Sequence, residues 1–169
     1  DVHVDASSVE VILNTVRHSV PCVIVDVPNM WAPWIKHTLL QADEVVITAT
    51  PELASLRNTK NLVDLLKQAR PNDRPPRLVM NQIGIPKRPE IPVADFAKAI
   101  NVEPALIIAY DAQTFGTAAS NGQMLAEVSA KAKAADAVAT LAQSLVGQEK
   151  PVKATKFSLP FAGKLLRKK

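Results

Sequence analysis

The sequence predicts an α/β fold: a doubly wound, mostly parallel sheet flanked by helices. Three observations point to it. Four short runs, residues 21–27, 44–50, 77–82 and 105–110, are apolar with little alternation, as strands covered on both faces are. Stretches with helical periodicity lie between them. Strands that alternate with helices join through parallel crossovers, which place helices on the faces of the sheet.

The helical stretches follow in order. Residues 7–17 carry apolar side chains at Val9, Ile12, Leu13 and Val16, with Ser7 or Ser8 available as a cap. Residues 32–41 form a second candidate. Residues 53–69 form a third, with Leu56, Leu62, Val63, Leu65 and Leu66 as its apolar stripe. Residues 92–100 are a short fourth. Residues 121–146 read as one long Ala-rich helix ended by Gly147. The proline-rich segments 71–76 and 86–92 are loops by composition.

Composition bounds the rest. The 169 residues fit one domain, and 47% of them are apolar, enough for a continuous core. No apolar run reaches the length of a membrane-spanning helix, and the acidic start does not resemble a secretory signal. The one cysteine, Cys22, excludes an internal disulfide, points to a reducing compartment and reads as a small buried hydrophobe. All sixteen acids lie in residues 1–149 with thirteen Lys and Arg, a net charge of −3. Residues 150–169 hold seven cations and no acid. The chain therefore divides into an acidic body, 1–149, and a basic tail, 150–169. An acidic body argues against nucleic acid as a partner.

In parallel α/β sheets ligands gather at the C-terminal ends of the strands. Asp26, closing the first run, is placed to hold Mg²⁺ directly or through water, although a turn or helix-capping Asp fits as well. Asn81 offers an amide whose donor and acceptor lie side by side; a turn-forming Asn is the alternative. Gly84 lets the backbone turn tightly with or without a ligand. His3, His18 and His37 have no paired metal-ligand spacing; His18 and His37 read as surface residues of helices, and no nucleophile-elbow motif is present.

Four strings carry a resemblance when read in order: CVIVDVP (22–28), ADEVVITATPELASLRNTK (42–60), RLVMNQIGIPKRPEI (77–91) and NGQMLAEV (121–128). They resemble successive blocks of the MinD/ParA family of deviant Walker ATPases. ASLRNTK, PKRPEI and the basic C-terminus are most similar to the CpaE/TadZ pilus-assembly group within it. The resemblance implies a P-loop NTPase fold that sandwiches ATP and Mg²⁺ at a homodimer interface. It implies that Asp26 and Pro28 form a switch D-x-P whose Asp serves Mg²⁺, that Asn81 reads adenine, and that Gly84, Tyr110 and Asp111 lie beside the base. It further implies scaffold work in tight-adherence pilus assembly, in the cytoplasm at the inner membrane or cell pole. The partners would be the secretion ATPase and the assembly platform. An active MinD/ParA-type ATPase that positions cargo is the alternative.

Two departures stand out. None of the five glycines opens a G-x-x-x-x-G-K-[ST] loop. The resemblance therefore implies a C-terminal piece of such a domain, with no nucleotide or activity expected of the piece. Where many relatives carry a Gly after D-x-P-x, this chain has Met30, which implies slow or absent hydrolysis; Trp31 and Trp34 follow at helical spacing.

In the tail, a helix begun at Pro160 would gather Phe161, Leu165 and Leu166 opposite Lys164, Arg167, Lys168 and Lys169. Such a face suits an anionic membrane surface or an acidic partner; a solubilising tail is the other reading.

Overall fold

A computed structural model describes residues 5–147. The tail residues, Phe161, Lys164, Leu165, Leu166, Arg167, Lys168 and Lys169, lie outside the described residues. The elements are α1 (Ala6–Arg17), α2 (Pro33–Gln41), β1 (Val46–Ala49), α3 (Leu53–Ala69), β2 (Arg77–Ile83), α4 (Val93–Ile100), β3 (Pro104–Ala109), α5 (Ala112–Asn121), α6 (Leu125–Val128) and α7 (Lys133–Leu145).

The three strands form one parallel sheet in the order β1-β2-β3, with Ile47 opposite Leu78 and Met80 opposite Ile107. The predicted fold class is present as a three-stranded parallel sheet flanked by helices. Side chains alternate along β2, so its two faces meet different layers. Leu78 and Met80 pack with Val63 and Leu66 of α3 and Phe96 and Ile100 of α4. Val79 turns the other way, with Ile108 of β3 and Ala134 of α7. Both crossover helices thus share one face, and α7 covers the other.

Polar ties fix the layers at their margins. The Arg77 guanidinium bonds Glu44 at 3.1 Å and the Ser144 hydroxyl at 3.2 Å, joining the start of β2 to the end of α7. Lys67 of α3 donates to the carbonyls of Ile100 and Asn101, both at 3.3 Å, where α4 ends in a left-handed residue, Asn101.

Several local expectations are corrected. Residues 21–27 form no strand, and β1 lacks any neighbour other than β2 among the described residues. A strand exists only through its ladder, and this apolar run has none. Cys22 is consequently exposed, not buried. The cap of α1 is Asp5, which accepts the Ser8 N–H at 2.7 Å, rather than either serine. Residues 121–146 are not one helix: α6 and α7 are separated by extended backbone at Ser129 and Ala132. Helix α5, not anticipated, starts at an Asp111 cap and stops at left-handed Gly122. His18 caps the end of α1 and is exposed, and His37 faces Glu10 from α2 at 3.7 Å. Trp31 lies before α2, as the predicted bounds of 32–41 have it, and is exposed, whereas Trp34 within α2 is half-buried.

Candidate functional site

A cavity of about 120 Å³ lies at the C-terminal ends of β2 and β3, lined by Asn81, Gln82, Ala109, Tyr110, Asp111, Ala112 and Phe115. Its cause lies in the β2–β3 ladder. Met80 pairs with Ile107 and Ile83 with Ala109, so three steps on β2 oppose two on β3. That extra residue is a β-bulge, a device that re-aims side chains next to sites. Gln82 takes the strain, with φ +56°, and Gly84 follows at φ +86°. The Tyr110 N–H then donates to the Ile83 carbonyl at 2.8 Å and closes the floor.

Asn81 is half-buried at the bulge. Its Oδ1 accepts the N–H of Gln82 at 2.8 Å, which fixes the orientation of the amide. The Nδ2 group is left as a donor, and Oδ1 keeps a second lone pair. Phe115, one helical turn after Asp111, and Tyr110 add ring surface to the lining. Asp111 accepts the Thr114 N–H at 2.9 Å, and the Thr114 hydroxyl and N–H hold its carboxyl below the usual range.

The turn after β2 is held by charges. Glu90 accepts the N–H of Gly84 at 3.0 and 3.1 Å and that of Ile85 at 3.1 Å. Chiefly the Gly84 N–H, with Arg88 and Ile85, keeps the Glu90 carboxyl below its ordinary value against the opposing effect of desolvation. Arg88 donates to Glu90 at 2.9 Å, to Glu52 at 3.1 Å, to the Gln82 side chain at 3.4 Å and to the Gln82 carbonyl. Its Nε is buried without an acceptor among the described residues.

No family model matches the chain. It is 26% identical over 133 residues to the septum site-determining protein MinD of Bacillus subtilis (strain 168), covering 77% of this chain and 48% of that protein. Among solved structures it resembles a ParA family ATPase from Chlorobium tepidum TLS, with a TM-score of 0.71 and 21% identity, over 82% of this chain and 57% of that one. It also resembles a chain of the MinC:MinD cell division protein complex of Aquifex aeolicus, with a TM-score of 0.71 and 20% identity, over 89% of this chain and 62% of that one. This is a MinD/ParA-like fold, by distant homology. The chain spans about half the length of the curated relative it matches.

Within this MinD/ParA-like fold, the sequence-predicted residues fall into two places. Asn81 and Asp111 line the cavity, and Gly84 sits in the turn beside it with its N–H taken by Glu90. Asp26 and Pro28 do not line it. They lie in the irregular segment before α2, where Asp26 is exposed and makes no hydrogen bond or ion pair with the described residues. Gln82, Phe115, Arg88, Glu90 and Glu52 were not predicted as site residues. An Arg and a Glu set between prolines in PKRPEI were the available signal for two of them.

The residues present fit one end of a nucleotide. A fixed amide and two rings around a small cavity suit a planar base, whereas a whole small-molecule site takes about 300–1,000 Å³. No cluster of three or more His, Cys, Asp or Glu that could hold a metal exists among the described residues. Mg²⁺ needs only one or two carboxylates beside phosphates, so Asp26 alone remains compatible with it. No helix among the described residues is long and apolar enough to cross a membrane.

Proposed function

We propose that this chain carries the base-binding part of a MinD/ParA-type ATPase that positions cellular cargo. The observation that supports this most is the cavity between the ends of β2 and β3, which the bulge at Asn81 and Gln82 opens. Asn81 reads the edge of adenine through its amide, and Tyr110 and Phe115 supply apolar surface to the ring. Where a phosphate loop is supplied, Asp26, followed by Pro28, would serve Mg²⁺ next to the phosphates. In a sequence without a phosphate-loop motif the base is the part that these residues can hold.

Recognition of the base alone has a measurable signature. About ten ring atoms at about 0.3 kcal/mol each give roughly 3 kcal/mol, a millimolar affinity. This departs from the expectation that the piece holds no nucleotide: adenosine, AMP and ATP should bind this chain alike, weakly and without Mg²⁺, followed by amide NMR shifts at Asn81, Tyr110 and Ala112. Asn81→Ala should weaken binding by about 1 kcal/mol, roughly fivefold. Equal binding of guanosine, or shifts confined to residues away from the cavity, would contradict the reading.

A narrower reading, a homodimeric polar scaffold of tight-adherence pilus assembly, is supported by ASLRNTK and PKRPEI. These two strings lie in neighbouring blocks that the structure joins through Arg88 and Glu52. It brings the pilus secretion ATPase and platform as partners and a place at the inner face of the inner membrane. Nucleotide-independent binding to the purified secretion ATPase would support it, and its absence would leave the positioning ATPase. The tail gives this reading a second test. Phe161→Asp with Leu165→Asp, or neutralising Lys164, Arg167, Lys168 and Lys169, should release the chain from anionic vesicles at low salt.

A further inference from the structure

We infer that Arg88 is the positioning residue of the base cavity: it pins the β-bulge that aims Asn81 and ties it to the start of α3 through Glu52. The inference rests on the proposed base-binding reading and adds to it the device that sets the site's geometry. A bulge with Gln82 in the left-handed region is held only when its surroundings over-determine it. Arg88 provides that excess. One terminal nitrogen takes the Gln82 carbonyl and Glu90, the other takes Glu52 and the Gln82 side chain. Glu90 then fastens the N–H groups of Gly84 and Ile85, so carbonyl and amide sides of one turn hang on a single ion pair.

The chemistry favours arginine at this position. Its planar fork presents several donors at fixed angles, whereas lysine offers one compact charge. Arg88 is 17% exposed and Glu90 19%, while Glu52 at 46% is a softer anchor. Arg88 does not line the cavity; it acts through Gln82, the residue next to Asn81.

The test uses the whole chain, with adenosine and guanosine as probes and amide NMR as the readout. Arg88→Met should speed hydrogen exchange at Gly84 and Ile85, broaden the Asn81 side-chain amide signal and weaken adenosine binding by about fivefold or more. Its ratio of adenosine to guanosine affinity should collapse towards one. Arg88→Lys should recover part of each effect. Glu52→Gln alters a half-exposed residue outside the cavity, so it keeps the fold and should give the same changes at smaller size. A purely structural role would lower thermal stability in Arg88→Met but leave the base ratio intact in Glu52→Gln and Arg88→Lys. That result, or unchanged exchange at Gly84 and Ile85, overturns the inference. Wild-type chain that ignores adenosine overturns the base-binding reading along with it. Wild type that binds, beside variants that bind equally well, removes only the role of Arg88.

Discussion

Asp111 accepts the backbone N–H of Thr114 at 2.9 Å and so closes the first turn of α5 at the rim of the cavity. One carboxylate oxygen therefore belongs to the helix, whatever the other one meets. Removing such a cap costs about 1 kcal/mol, within roughly 0.5–2. Asp111→Ala should show that loss in urea denaturation, and Asp111→Asn should show little of it because the amide oxygen also caps. If Asp111→Asn also keeps adenosine affinity, the residue is a cap and not a contact to the base.

The turn after β2 should respond to acid through Glu90. Its carboxyl is held below the ordinary glutamate value, first by the Gly84 N–H. A carboxylate held down in the folded state favours folding once ionised. That contribution is complete above the ordinary glutamate range and is lost as pH falls through the folded value. Stepped-pH denaturation from about pH 6 to about pH 3 should therefore show a steeper fall in wild type than in Glu90→Gln. The difference between the two should shrink towards the acid end. Parallel curves would mean that the Gly84 and Ile85 bonds do not depend on charge.

Three of the four predicted strands exist, because their apolar runs are buried by helices close in sequence. Residues 21–27 have the same local character, yet a ladder needs a neighbour, and no local pattern reveals whether one is present. Helix α5 escaped because Gly116 and small residues blur its period, although Asp111 followed by Thr114 carried its start. The break between α6 and α7 was hidden by alanine, which suits helix at every position and marks no boundary. At the site, Asn81 was legible as a polar residue ending an apolar strand. The bulge was not, since it depends on the register between two strands, and neither was the reach of Arg88 back to Glu52, thirty-six residues earlier.

The packing beneath the site gives a stability prediction. Phe96 of α4 is fully buried in the cluster that holds Leu78 and Met80 of β2. Phe96→Ala removes a ring that the surrounding layers cannot replace, at a cost of about 3–5 kcal/mol. Phe96→Leu should cost less, because it preserves much of the volume. Chemical denaturation would check both, and a loss below about 1 kcal/mol for Phe96→Ala would mean that α4 is not a core layer.

The segment before α2 makes a claim about association. Ile24 is 90% exposed, Val25 40%, Met30 57% and Trp31 63%, and residues 21–27 have no ladder partner among the described residues. The outer edge of β1 has no strand beside it among those residues either, so its N–H and C=O groups there form a template for pairing. An apolar run without a ladder and an edge without a neighbour each favour contact with another chain. The isolated chain should therefore self-associate as its concentration rises, in reducing buffer, where Cys22 forms no disulfide. Ile24→Lys should weaken that association while changing folding stability by no more than about 0.5 kcal/mol, since the side chain packs against almost nothing. Sedimentation velocity over a concentration series, paired with urea denaturation, separates the two quantities. A wild-type chain that stays monomeric at high concentration would show that residues 21–27 and the β1 edge are satisfied within one molecule. An Ile24→Lys variant that unfolds would place Ile24 in the core instead.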